Sequence, residues 1–182
     1  ARILKGLGHR VGIEGRYQGN SCDLLIAVHA CKSFSSIGRF CREHTDRPLV
    51  VVLSGTDLYQ DLKRGSEVTQ SLSMATHIVV LQKQALEEIP QEFRPKATVI
   101  YQSAKPLKGS PPPPKSYFRV CTVGNLRPVK DPFRAAAASR LLPPSSRVRI
   151  LHAGGAIEAA MATQARDEQA ANPRYRWLGE LP

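Results

Sequence analysis

The 182-residue sequence predicts an α/β fold made of two parallel-sheet domains. Short apolar, β-branched runs alternate with longer helix-spaced segments along the chain, which is the pattern of a parallel sheet wrapped by helices. Four consecutive prolines, Pro111 to Pro114, break that alternation. They follow a complete set of strands and precede a new glycine-bearing strand, loop and helix.

The elements follow in order. ARILKGLGHRV reads as the last turns of a helix that stops at Gly8 and enters a strand, so the chain is expected to start inside a domain. The expected strands are VGI (11–13), DLLIAVHA (23–30), LVVVLS (49–54), HIVVL (77–81), ATVIY (97–101), RVCTV (119–123) and RVRILHA (147–153). Helical spacing marks 33–44, 57–75, 84–90, 131–142 and 156–171. The stretch KPLKGSPPPPKSY, 105–117, forbids helix and sheet ladder alike and reads as an extended, semi-rigid connector, with a surface loop inside one domain as the alternative. The domains are then 1–104 and 118–182, each incomplete at its outer end.

Composition narrows the function classes. The 42% hydrophobic content is that of a globular protein, and no stretch is as long and apolar as a membrane span. The cysteines at 22, 31, 41 and 121 form no C-x-x-C pair and no zinc-like spacing with histidine. They read as free thiols of a reducing cytosol, with no metal site. The net charge of +11 is uneven. Residues 1–104 carry 13 Lys and Arg against 10 Asp and Glu, a balance of +3, whereas 105–182 carry 13 against 5, a balance of +8. These cations are spread singly, without Lys/Arg runs or interleaved aromatics, so a small polyanion such as a nucleotide diphosphate fits as well as a nucleic acid.

Open parallel sheets collect ligands beyond the carboxyl ends of their strands. The corresponding loops are 29–33, 54–57, 82–83, 102–103, 124–130 and 153–156, and two sheets facing each other would gather them into one cleft. In TVGNLRPVKDP (122–132), Gly124 lets backbone amides approach a ligand, Pro132 can start a helix, and Arg127 and Lys130 supply fixed charge. A phosphate suits that geometry, although neither the Walker nor the G-x-G-x-x-G spacing is present. Two solvated surface cations are the plainer reading. HAGGA (152–156) brings Gly154 and Gly155, either as a tight turn or as a helix entrance lining the same anion site. In SGTDLY (54–59), Thr56 or Asp57 can cap a helix while Ser54, Gly55 and Thr56 contact a ligand. His29 could contact a ligand or carry a proton, but satisfaction by a neighbouring backbone group is the commoner fate of such a residue. Lys32 lies at the same strand end.

VGNLRPVKDP resembles the Gly-x-Leu-x-x-x-Lys donor loop of family 4 GT-B glycosyltransferases, whose lysine contacts the diphosphate of a nucleotide sugar. GHRV, DLLIAVHA, LSGTDLY, VVLQKQAL, VIYQSA and NPRYRWLGELP fall in the order of that fold, and SGTDLYQDL with VIYQSA is most similar to selenosugar synthases of selenoneine biosynthesis. The resemblance implies a GT-B fold: two Rossmann-like domains facing a cleft, the donor domain truncated here. It also implies a cytoplasmic transferase moving a sugar from UDP-N-acetylglucosamine or UDP-glucose to selenophosphate, coupled to other enzymes of that route. Lys130 and Arg127 would be its catalytic cations, with no metal or other cofactor. Gly124, Asn125, Gly154 and Gly155 would bind the UDP-sugar, and Lys32, Ser54, Gly55, Thr56 and His29 the acceptor. Many relatives have arginine directly after the loop glycine, where this chain has Asn125, and their Glu-x7-Glu segment and amino-terminal glycine-rich loop have no counterpart in these residues. The other readings are a GT-B enzyme with a sugar, thiol or lipid acceptor, and a non-catalytic polyanion or nucleic-acid binder.

Overall fold

The computed structural model describes residues 1–63, 65–104, 109, 112 and 114–181. The chain forms two compact units, Ala1–Lys105 and Pro106–Pro182. Much of the connector expected over 105–117, namely 105–108, 110, 111 and 113, lies outside the described residues.

The first unit carries a four-stranded parallel sheet in sequential order, β1 (Leu25–Val28), β2 (Leu49–Val52), β3 (His77–Val80) and β4 (Ala97–Val99). β-branched side chains favour these pleated runs, and each return to the sheet is helical, as parallel pairing requires. Helix α1 (Arg2–Gly6) buries no side chain, and Gly8 follows it at φ +89. Helix α2 (Phe34–Glu43) turns Ile37 and Phe40 inward, three residues apart on one face. The segment expected as one helix over 57–75 is divided. A short α3 (Gly55–Tyr59) is followed by a 3-10 turn, and α4 (Ser66–Met74) restarts after Gly65 with Val68, Ser71 and Leu72 inward. Glycine at that junction favours the break. Helix α5 (Ala85–Glu88) is a single turn that ends before Pro90, and a 3-10 stretch (Gln91–Lys96) leads into β4.

VGI at 11–13 forms no strand, and its Ile13 is exposed. Three glycines between 8 and 15 favour turns over a sheet ladder. Tyr17 anchors the segment instead. It packs edge-on against Phe40, donates its hydroxyl hydrogen to the Asn20 carbonyl and accepts from His44 Nε2 at 2.9 Å.

The core of this unit covers one sheet face. Ala27, Leu49, Val51, Ile78 and Val80 pack under α2 and α4 with Phe93 and Ile89. The alternate residues, Ile26, Val28, Val50, Val52 and Val79, are apolar too, yet none is fully buried, and Val28 is 60% exposed. Apolar residues on both faces are the sequence pattern of a doubly covered parallel sheet.

The second unit holds a three-stranded parallel sheet, β5 (Phe118–Val123), β6 (Val148–Ala153) and β7 (Tyr175–Gly179). β7 is absent from the strands expected on periodicity, because YRWLG mixes an arginine and a closing glycine into a five-residue run. Helix α6 (Arg134–Arg140) begins three residues after the expected start at Asp131, and Pro132 lies in the preceding turn. Helix α7 (Ala159–Ala171) likewise begins at 159 rather than 156 and packs through Met161, Ala162 and Ala165.

Candidate functional site

The functional candidates cluster at the carboxyl ends of strands in each unit. In the first unit, His29 leaves β1 with its N–H still on the ladder, donating to the Val52 carbonyl at 2.9 Å. It then turns into the left-handed region at φ +72. A non-glycine side chain seldom adopts that conformation unless its surroundings hold it there. Here the Lys32 N–H donates to Nδ1 at 3.3 Å, so in the neutral ring Nε2 carries the hydrogen and donates to Thr56 Oγ1 at 3.0 Å. A neighbouring backbone group satisfies one nitrogen, as expected of such a histidine, and the Thr56 side chain takes the other.

Below it, Asp57 is fully buried and collects four donors. Its Oδ1 accepts the Ser54 N–H and hydroxyl, both at 2.8 Å, and the Leu58 N–H at 3.2 Å, while Oδ2 accepts the Ala30 N–H at 3.0 Å. Ser54, rather than the expected Thr56 or Asp57, is therefore the N-cap of α3, and Asp57 inside its first turn completes a capping box with it. The Ser54 hydroxyl points inward and Thr56 serves His29, whereas the Lys32 side chain is exposed. Ser54 and Gly55 also border a small hollow of about 190 Å³, shared with Tyr59 and Gln82 and otherwise lined by leucines and Ala85.

Acidic groups surround this strand end. Asp57 and Asp61 each place an oxygen 3.9 Å from a His29 nitrogen. The Cys31 thiol donates to Glu67 at 3.2 Å. That hydrogen bond holds the thiol above its ordinary pKa, helped by burial and then by the charges of Glu67, Asp61 and Asp57. The contribution of Asp61 has no local signature, because nothing in DLYQDL signals that its carboxylate turns back toward β1.

In the second unit the ends of all three strands are laced together. Gly124 N–H donates to the Ala153 carbonyl at 2.9 Å, Leu126 N–H to Gly155 at 2.8 Å and Gly154 N–H to Gly179 at 2.7 Å. The Asn125 side chain accepts the Gly155 N–H at 3.1 Å. Leu126 is fully buried against Met161 and Ala165, with Phe133 and Trp177 beside them. The leucine of Gly-x-Leu is therefore the anchor that holds the loop down.

Gly154 has a specific duty, since a Cβ on it would fall on the Gly124 carbonyl and the Asn125 nitrogen. At Gly124 the corresponding space is open, and the outer side of that residue is accessible. The two glycine loops therefore form one surface, with Gly154 fitting beneath the Gly124–Asn125 peptide. Gly155 does not open a helix directly, because Glu158 is the N-cap of α7.

Arg127 precedes a 3-10 turn, Pro128–Lys130, and Asp131 follows it in the left-handed region at φ +45. Both cations are exposed, and none of the ion pairs among the described residues uses either. Asp131, the nearest carboxylate in sequence, is held by Arg134. The loop therefore offers two unneutralised cations on a backbone fixed by a buried leucine and three strand ends.

Three residues at this site were not among the candidates the sequence suggested. His152 Nε2 donates to the Gly124 carbonyl at 3.1 Å, its Nδ1 lies 3.1 Å from the Tyr175 hydroxyl, and Trp177 Nε1 donates to the Gly154 carbonyl at 2.8 Å. A histidine inside RVRILHA was the available hint, because a polar ring pointing into a core needs partners.

No protein-family model matches the chain. No curated protein matches it either. Among solved structures it is similar to HepE of Anabaena in complex with UDP, at 16% identity and a TM-score of 0.58 over 87% of this chain and 48% of that one. The same protein with UDP and glucose gives 16% and 0.57 over 88% and 48%. With UDP-glucose it gives 15% and 0.56 over 88% and 49%. The chain thus spans about half the length of the structures it matches. At this identity the likeness is one of fold, that of two Rossmann-like parallel-sheet units.

Proposed function

We propose that the protein is a glycosyltransferase that takes its sugar from a UDP-sugar. The observation that carries this reading is the Gly124–Lys130 loop, where Arg127 and Lys130 stand unneutralised beside an anchored glycine turn. Negative charge grows on a departing UDP, and fixed cations that meet it there act mainly in the transition state. The fold it shares with HepE, a protein solved with UDP and with UDP-glucose, supports the same donor class.

For the acceptor we propose selenophosphate, on the strength of SGTDLYQDL and VIYQSA. Selenophosphate is already ionised and needs an anion cradle more than a base. With the Ser54 and Thr56 hydroxyls engaged, the cradle would come from exposed Lys32 and the backbone at Gly55. One observation favours a second reading, a neutral sugar or thiol acceptor: the carboxylates of Asp57, Asp61 and Glu67 around His29 and Cys31 repel an incoming anion.

The test is to incubate the whole protein with UDP-glucose or UDP-N-acetylglucosamine and either selenophosphate, a sugar or thiol acceptor, or no acceptor, and to follow products by mass spectrometry. UDP released together with a selenium-bearing sugar supports the full reading. UDP released only with other acceptors supports the second. Failure to consume either donor with any acceptor overturns the transferase assignment.

A further inference from the structure

His152 is a buried titratable side chain that the proposed chemistry does not touch. It lies on β6 with 1% exposure, directly behind the candidate donor loop. A carbonyl oxygen can only accept, so the contact with Gly124 places the ring hydrogen on Nε2. In the neutral ring Nδ1 is then an acceptor, and the Tyr175 hydroxyl must donate to it. Tyr175 is suited to that duty, because burial, and after it the charge of Glu168, pushes its pKa up to about 12 and the phenol keeps its hydrogen. The relay therefore runs in one direction, from Tyr175 through His152 to the Gly124 carbonyl.

The effect falls on a single peptide plane. The bond between Gly124 and Asn125 is trans, so pulling the carbonyl inward turns the Asn125 N–H the opposite way. That N–H has no acceptor among the described residues. Two further contacts keep the plane from rotating: Gly154 fits beneath it, and the Asn125 side chain is tied to the Gly155 N–H.

We propose that His152 is a positioning residue for nucleotide-sugar binding, holding the Gly124–Asn125 peptide so that its N–H is presented to a phosphate of the UDP moiety. The inference rests on the reading of the Gly124–Lys130 loop as the donor site. An N–H already held in its bound orientation binds without the entropy cost of ordering it, so loosening it weakens affinity with no change in the groups that touch the ligand.

The test titrates UDP calorimetrically into the whole protein as wild type, His152→Leu, His152→Gln and Lys130→Ala, with the Asn125 amide followed by ¹⁵N-resolved NMR. His152→Leu is expected to weaken UDP binding about tenfold, the worth of one hydrogen bond to a charged group. Glutamine has a donor and an acceptor at the end of its side chain and is expected to restore affinity to within about threefold of wild type. Should the leucine variant fail to fold, His152→Phe takes its place: it keeps a planar ring on β6 but neither hydrogen bond, and is expected to weaken UDP binding and shift the Asn125 amide resonance together, whereas affinity and resonance unchanged from wild type overturn the role. UDP binding as tight in His152→Leu as in wild type overturns the positioning role, and so does a glutamine variant as weak as the leucine one. If wild type binds UDP no better than Lys130→Ala, the donor reading itself fails, an outcome distinct from the other two.

Discussion

Lys130 and Gly154 illustrate two different ways in which one residue can matter at the same loop. Lys130 is exposed and forms no ion pair among the described residues, so its removal costs the fold little and the proposed ligand much. Lys130→Ala should lower kcat/KM for the UDP-sugar by roughly tenfold to a hundredfold, the equivalent of about 1.5 to 3 kcal/mol for a charge-assisted hydrogen bond to phosphate, while the melting temperature stays put. Unchanged kinetics would remove the lysine from the donor site. Gly154 is the reverse case, since any side chain there collides with backbone rather than with a flexible neighbour. Gly154→Ala should cost about 1 to 3 kcal/mol of stability in denaturant titrations, typical of forced overpacking, and should impair UDP binding as well. A fully stable alanine variant would show that the Gly124–Asn125 peptide can move aside.

Strands β5 to β7 show how far an element can be read before it is seen. β5 and β6 are legible as apolar β-branched runs, and the loop after β5 as a turn with cations, because those features depend on neighbouring residues alone. β7 had no clear local signal because YRWLG breaks its apolar run with an arginine and a closing glycine, and the Tyr175 and His152 pairing had none because it depends on strands brought together across more than twenty residues. That SGTDLY opens a helix was legible locally, but its cap is Ser54 rather than Thr56 or Asp57, and the turn of Asp61 back toward His29 had no local signal. The pairing of β6 with β7 has a measurable pH signature. Tyr175 ionises near 10.0 in an unfolded chain and near 12 in the fold. Its contribution to stability is therefore complete below about pH 10 and is lost as the pH rises through about 12. Denaturant titrations across that window should show an alkaline loss of stability that Tyr175→Phe reduces. A phenylalanine variant with an undiminished alkaline loss would place the effect on other groups.

At the scale of the whole molecule, charge separates the proposed transferase from a nucleic-acid binder. The +11 balance is carried mainly by residues 105–182, where it stands as scattered single cations. A protein that neutralises many phosphates loses about a thousandfold or more in affinity between 50 and 200 mM salt, whereas UDP, with a single diphosphate, should lose less than about tenfold. Titrations of UDP and of single-stranded DNA across that range would decide between the two, and tight, steeply salt-dependent DNA binding with no UDP response would favour the nucleic-acid reading. The indole of Trp177 extends the consequence of the laced loops into optics. It is the only tryptophan in the chain, and its Nε1–H is held by the Gly154 carbonyl beneath the Gly124–Asn125 peptide. Indole emission responds to the polarity and hydrogen bonding of its surroundings, so the protein carries a built-in fluorophore in the loop assigned to UDP. Adding UDP should change the emission intensity or colour along a saturable curve, one that Lys130→Ala displaces to higher concentration, giving a reading of loop occupancy that needs no label and no turnover.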